Sequence, residues 1–226
     1  ELKQGSFAAP DGRGSGLVAG LRTVLRDHGF RLLWLGQGIS LLGNQFYLVA
    51  LPWLVLQLTG NAFAIGIVLA LVSVPRALFM LLGGALTDRL SPRAVMLYSS
   101  VSRLALVGSL AVVTATGVVE LWMLYGFALL LGLADALYFP GQAAIVPRLI
   151  GTTHLQTGNA VIQGTAQASV FVGPVLAGVL IAVLAGGEAA AVRPDTLGIG
   201  IAFGVAAATF LVSAVTLALI SLPDAA

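Results

Sequence analysis

Six long apolar segments, separated by short polar breaks, follow a polar start of the chain. The segments cover about residues 31–58, 62–87, 94–116, 121–146, 156–185 and 197–222. The breaks carry turn residues, as in Thr59-Gly60-Asn61. Because about 20 helical residues cross the hydrocarbon core of a bilayer, each segment is long enough to span a membrane. The pattern predicts an all-α membrane protein with six transmembrane helices.

The ends of the chain differ from this membrane domain, which is expected over residues 30–222. Residues 1–29 are polar and Gly-rich, and residues 17–31 have the composition of a short basic amphipathic helix on the membrane surface. Residues 223–226 would begin a linker. The chain starts at Glu1 without an initiator methionine, so we expect a piece of a longer gene product.

Composition narrows the class of protein further. Of the 226 residues, 58% are hydrophobic and 9% charged, far from a soluble average. The net charge of +2 indicates no nucleic-acid partner. The chain has no cysteine, and its two histidines lie in loop-like stretches, so we expect no metal site. With no nucleophile–base pair or phosphate-binding glycine loop, we expect neither an enzyme nor a cofactor.

The distribution of basic residues predicts the orientation in the membrane. If the N-terminus is cytoplasmic, the outer loops carry only Arg193 among the arginines and lysines, together with Glu120, Glu188 and Asp195. The inner segments then carry Lys3, Arg13, Arg22, Arg26, Arg31, Arg89, Arg93 and Arg148. This bias predicts a multi-pass protein of the inner (plasma) membrane with both termini cytoplasmic.

Three charged residues fall well inside the predicted spans: Arg76, Arg103 and Asp135. Each costs about 2.5–3.5 kcal/mol at the centre of a membrane helix on insertion scales. Counting along the helices places Arg76 and Asp135 at similar depths, so Asp135 could pair with Arg76 or with Arg103. Such a group is either a substrate or proton site or a static salt bridge that fixes helix packing.

Polar side chains in spans one, four and five allow two interpretations. They line a polar cavity, or they form interhelical hydrogen bonds worth under about 1–2 kcal/mol each. The residues are Gln37, Asn44, Gln45, Gln142, Gln163, Thr165 and Gln167.

Span five also contains Gly173, Pro174, Ala177 and Gly178, which favour a kinked and closely packed helix. Pro52 and Pro140 lie near the exit ends of spans one and four. Their positions agree with two inverted three-helix repeats, as in many transporters.

Two motifs resemble the major facilitator superfamily of transporters. Gly84-Ala85-Leu86-Thr87-Asp88-Arg89, followed by Arg93, resembles the gating motif of its loop between spans two and three, although Ser91 and Pro92 depart from the pattern. Gly173-Pro174-x-x-Ala177-Gly178 resembles the motif of its antiporters. Spans one and four resemble the branch that exports macrolides and siderophores.

The resemblance implies a fold of twelve spans in two six-helix halves, of which this chain is the N-terminal one. It implies proton-coupled efflux of a small amphipathic drug or siderophore by alternating access, with the C-terminal half as partner. Asn44 stands where the branch often has an acid, so Asp135 becomes the expected proton carrier. In the family, the residue matching Asp88 faces the second half and holds the inside-closed state.

Two alternatives to a transporter fragment remain open at this point. The chain could act as a half-transporter that dimerises, or as a six-span assembly subunit without transport of its own. The subunit interpretation predicts that protein contacts fill the polar faces of spans one, four and five.

Overall fold

A computed structural model describes residues 13–89, 91–184 and 196–220, and for residues 13–19 and 81–89 it describes the backbone alone. These ranges contain seven α-helices, one 3₁₀ turn and no strand. Helices α2 to α7 are long and apolar enough to cross a membrane, which confirms the six-helix all-α fold. The helices are α1 (Arg13–Arg26), α2 (His28–Thr59), α3 (Ala62–Arg89), α4 (Pro92–Ala115), α5 (Leu121–Ile150), α6 (Leu155–Leu184) and α7 (Thr196–Leu219).

The polar breaks begin and end the helices by ordinary capping chemistry. The Asp27 side chain accepts a hydrogen bond from the Phe30 amide at 2.7 Å and caps the start of α2. Gly60 ends α2 in the left-handed conformation, with φ 61°. Ser91 caps α4, and Pro92 occupies its first turn, where no amide hydrogen is needed.

The six long helices pack in a pattern with internal correspondence. Helix α2 packs against α7 and α6, while α5 packs against α4 and α3, and α4 also packs against α7. If α2–α4 and α5–α7 are two equivalent units, the α2·α7 pair corresponds to α5·α4 and the α2·α6 pair to α5·α3. This is the arrangement expected of two inverted three-helix repeats.

Two apolar clusters occupy opposite ends of the bundle. One contains Leu54 at the C-terminal end of α2 and Leu124 at the N-terminal end of α5. The other contains Leu33 near the start of α2 and Ile145 near the end of α5. Between them, at the middle of the helices, lie the buried polar residues Gln37, Ser40, Ser99, Arg103 and Asp135.

Helix α1 lies against the end of the bundle near the start of α2. Its Val24 is buried in the apolar cluster there, whereas Arg22 and Arg26 are exposed. The Thr157 hydroxyl would lie 3.2 Å from a Cβ atom added to Gly20, so α1 and α6 approach closely. A helix therefore forms in the N-terminal segment, and its contact with the membrane surface stays a prediction.

Several residues singled out in the sequence fall outside this description. The side chains of Gly84, Asp88 and Arg89 lie outside the described residues, although the backbone of α3 includes all three. Residues 1–12 and the expected linker at 223–226 are also outside them. Of the loop motif, the structure describes the Arg93 side chain.

Candidate functional site

A small polar cavity lies at the middle of the bundle, and we call it the central chamber. Its volume is about 30 Å³. Helices α2, α3, α4 and α5 line it with Gln37, Ser40, Leu41, Asn44, Arg76, Arg103, Asp135, Tyr138, Phe139 and Gln142. The chamber thus brings together the three intramembrane charges expected from the sequence.

All three charges lie at the midpoints of their helices. Asp135 is 14 residues after Leu121 and 15 before Ile150, the two ends of α5. Arg76 and Arg103 are similarly central in α3 and α4. Because the adjoining helices alternate in direction, midpoint residues meet at one depth.

Helical spacing explains why the polar residues converge. On α2, Gln37, Ser40, Asn44 and Tyr47 recur at intervals of three and four residues and therefore share one face. The same spacing relates Asp135, Tyr138 and Gln142 on α5. Tyr47 was missed in the sequence because its ring reads as apolar, although the spacing pointed to it.

Asp135 pairs with Arg103 rather than with Arg76. The Arg103 Nη1 atom lies 3.3 Å from Asp135 Oδ1, and both side chains are nearly fully buried. The Tyr47 hydroxyl donates a hydrogen bond to the other carboxylate oxygen, Asp135 Oδ2, at 3.2 Å. Both carboxylate oxygens therefore face a positive or donor group.

Two aromatic rings pack against the Arg103 guanidinium. Its Cζ atom lies 4.4 Å from the centroid of the Tyr138 ring and 4.8 Å from that of Phe210. Cation–π contacts of this kind are worth about 0.5–2 kcal/mol each. Its Nε and Nη2 atoms have no hydrogen-bond partner among the described residues. Charge and ring contacts together fix Arg103 beside Asp135.

Arg76 is held much less firmly than Arg103. Its Cζ atom lies 4.6 Å from the centroid of the Phe139 ring, and the residue is partly buried. Within the described part of the chain, no acidic side chain pairs with it. One cation–π contact, worth about 0.5–2 kcal/mol, offsets only part of the roughly 2.5–3.5 kcal/mol cost of a charge at this depth. The chamber therefore carries two guanidinium groups and one carboxylate.

The chamber also contains acceptors without donors. Among the described residues, Gln37 Oε1, Asn44 Oδ1 and Gln142 Oε1 are buried without a hydrogen-bond partner, and Asp135 Oδ1 has the ion pair with Arg103 but no hydrogen bond. Buried polar atoms are nearly always satisfied by protein, water or ligand. A polar cavity of about 30 Å³ has room for about two water molecules, which could donate to these oxygens.

The polar residues of span five lie away from this chamber. Gln163 and Gln167 are exposed on the outer surface of α6. Thr165 accepts a hydrogen bond from the Trp34 indole nitrogen at 2.8 Å and so joins α6 to α2. Gln45 packs against Gly173. The roles expected for Gln45, Gln163 and Gln167 in the substrate or proton pathway stay predictions.

The two glycines of the span-five motif have different surroundings. A Cβ atom added to Gly173 would lie 2.5 Å from both Cβ and Cγ of Gln45, so only glycine fits there. Pro174 follows inside α6. At Gly178 an added Cβ would meet no atom of the described residues within 4 Å. Gly178 instead borders an apolar groove of about 570 Å³ between α2 and α6.

Arg93, from the loop motif, binds the end of a distant helix. Its Nε atom donates to the carbonyl oxygen of Leu217 at 2.8 Å, and its Nη2 atom donates to that of Ala218. Both carbonyls belong to the last turn of α7, where a cation also complements the helix dipole. Arg93 thereby connects the start of α4 to the end of α7.

No group of histidine and acidic side chains that could hold a metal ion occurs among the described residues. The polar groups that line the chamber are one carboxylate, two guanidinium groups, three side-chain amides and the hydroxyls of Ser40 and Tyr138.

The proteins and the family that this chain resembles are all concerned with secretion, efflux or transport across membranes. The family model described as "Transmembrane secretion effector" matches residues 22–218. The multidrug efflux pump Tap of Mycolicibacterium fortuitum is 31% identical over 149 residues, which are 64% of this chain and 36% of that protein.

Two further relatives come from Bacillus subtilis (strain 168). The uncharacterized MFS-type transporter YvqJ is 22% identical over 138 residues, covering 61% of this chain and 33% of YvqJ. The uncharacterized MFS-type transporter YfiS is 26% identical over 155 residues, covering 68% and 36%. The matched part is thus about a third of each relative's length. No solved structure matches.

Proposed function

The chain belongs to the major facilitator superfamily of membrane transporters, in its transmembrane secretion effector family, and from this premise we propose that it works in proton-coupled efflux. The exported substrate is a small amphipathic compound of the drug or siderophore class. Transport proceeds by alternating access. Efflux agrees with the relative named as a multidrug efflux pump.

One observation carries this proposal: the central chamber holds the Arg103–Asp135 pair at the middle of the bundle. Ionisable groups inside a membrane domain are costly, and they commonly mark ion or substrate pathways. Among the described residues, Asp135 is the acidic side chain at the middle of the bundle. It is therefore the proposed proton carrier.

The contacts of Asp135 give the proton a means to act on the helices. In the state described, the carboxylate binds Arg103 of α4 and the Tyr47 hydroxyl of α2. Protonation of Asp135 would remove the negative charge that attracts Arg103. The α4–α5 and α2–α5 contacts would then weaken together, which is how proton binding would favour a second arrangement.

A second six-helix unit would supply the other wall of the transport path. In α3 and α6, 22% of the most apolar window is buried, against 39–44% in the other four long helices. Gln163 and Gln167 are exposed on α6, and amide side chains are poorly suited to lipid. These helices would face the second unit and the water-filled path between the units. Asp88 and Arg89 would contribute to the gate on the cytoplasmic side.

The complete transporter in membrane vesicles tests the proton step. With Asp135→Asn, we expect efflux of a fluorescent amphiphile to lose its dependence on an imposed pH gradient, while exchange without a gradient continues. Glu120→Gln, at the exposed start of the same helix, is the matched control and should behave as wild type. Undiminished pH-driven efflux by Asp135→Asn would exclude this residue from coupling.

A further inference from the structure

We propose that the central chamber binds an anionic group of the substrate and that Arg76 is its charged anchor. The ligand class is an amphipathic compound that carries a carboxylate or a similar oxyanion. This inference rests on the proposed transport function and specifies the substrate of the same site.

The charges of the chamber leave one cation without a counter-ion. Arg103 and Asp135 neutralise each other at 3.3 Å. Arg76, by contrast, has a ring contact with Phe139 and no acidic partner in the described part of the chain. The chamber has a net positive charge, so a cation is disfavoured there and an anion is favoured.

The two arginines differ in how exposed they are, as well as in whether they have a counter-ion. Arg103 is 5% exposed and packs against the rings of Tyr138 and Phe210. Arg76 is partly buried, and its ring partner Phe139 is 38% exposed. Arg76 and Phe139 therefore form the rim of the chamber, where a ligand can reach the guanidinium without displacing the ion pair.

The size and polar groups of the chamber suit an anionic group rather than a whole molecule. A volume of about 30 Å³ accepts a carboxylate but excludes a ring system. Asn44 and Gln142 line the chamber beside Arg76. Each amide can present its NH₂ group and donate hydrogen bonds to an oxyanion. The apolar body of the ligand would remain outside, against the exposed face of Phe139.

A pair of matched probes tests the inference on the purified complete transporter. 1-Naphthaleneacetate and 1-naphthaleneacetamide share ring and shape and differ in charge. We expect the wild type to bind the carboxylate at least about tenfold more tightly, as a charge-assisted contact with arginine would give. Arg76→Gln should remove this preference while leaving the affinity for the amide unchanged. Arg76→Lys should keep part of the preference, because it keeps the charge.

Two results would overturn the inference. One is equal or undetectable affinity of the wild type for both probes, as expected if Arg76 pairs with an acid outside this chain. The other is a preference for the carboxylate that persists in Arg76→Gln. Vesicle efflux distinguishes the two proposals: Arg76-dependent binding without pH-driven efflux would leave the anion site standing and contradict the proposed function.

Discussion

Arg103 Nη1 lies 3.3 Å from Asp135 Oδ1, and the two side chains are 6% and 4% exposed. The pair joins α4, the last helix of the first three-helix repeat, to α5, the first helix of the second. It lies between two apolar clusters, beside a chamber with room for only about two water molecules, so bulk water does not screen the charges. Its removal should therefore affect both stability and the relation between the repeats.

Breaking this pair should destabilise the protein strongly. We expect Arg103→Gln to lower the free energy of unfolding by about 3–5 kcal/mol, because it leaves a buried carboxylate uncompensated. Chemical unfolding of the purified protein in detergent measures this. Arg76→Gln removes an unpaired charge at the same depth and should cost less than about 1 kcal/mol.

A double variant distinguishes the loss of the Arg103–Asp135 ion pair from other effects of replacing Arg103. Arg103→Gln with Asp135→Asn should recover a large part of the loss, since no unpaired charge remains. If Arg103→Gln and Arg76→Gln destabilise equally, the assignment of Arg103 as the partner of Asp135 fails.

The Tyr47 hydroxyl should contribute through the same carboxylate. We expect Tyr47→Phe to lower the free energy of unfolding by about 1.5–3 kcal/mol, the usual range for a hydrogen bond to a charged group. Tyr98→Phe is the control, because Tyr98 is 67% exposed. Equal effects of the two substitutions in chemical unfolding would show that the hydroxyl of Tyr47 contributes no such bond.

Much of the fold could be predicted from the sequence because a membrane helix is recognised by the length and apolar composition of its segment. The depth of Asp135 and its pairing with an arginine also followed from counting residues along helices. The choice between Arg76 and Arg103 did not, since both lie at helix midpoints. That choice depends on how α3 and α4 are rotated against α5, which only tertiary packing determines.

The rotation of α6 is the second feature that the sequence left open. Gln163 and Gln167 share a face by spacing, but spacing does not say which neighbour that face meets. Packing of Gly173 against Gln45 turns a different side of α6 towards α2. The two glutamines consequently lie on the outer surface of the six-helix unit, away from the chamber that contains Asn44 and Gln142.

The close approach at Gly173 predicts opposite effects at the two motif glycines. Gly173→Ala would push a methyl group to 2.5 Å from Gln45 Cβ, and overpacking of this kind costs about 1–3 kcal/mol. Gly178→Ala meets open space in the described residues and should stabilise α6 by up to about 1 kcal/mol through helix propensity. Thermal unfolding should give shifts of opposite sign, and a loss of stability at both positions would contradict this packing.

The contact of Arg93 with α7 predicts a local effect at the end of that helix. Arg93→Gln removes the charged donor from the Leu217 and Ala218 carbonyls, which should cost about 0.5–1.5 kcal/mol at this partly exposed site. Hydrogen exchange by mass spectrometry should show faster exchange in the last turn of α7. Arg148→Gln, at an exposed position at the same end of the bundle, should leave exchange there unchanged. Protection retained in Arg93→Gln would refute the anchoring role.

The exposed amides of α6 predict a water-accessible face on that helix in the complete transporter. This chain contains no cysteine, so a single introduced thiol reports on its own position once any cysteines outside residues 1–226 are replaced. Gln167→Cys should react with a charged, membrane-impermeant thiol reagent at least about tenfold faster than Ala168→Cys, because thiolates form in water and not in lipid. The two positions differ in depth by about 1.5 Å and in direction by about 100°, so depth alone does not explain a difference. A Gln167→Cys thiol that reacts as slowly as Ala168→Cys would place the Gln167 face against lipid or protein and remove α6 from the wall of the path.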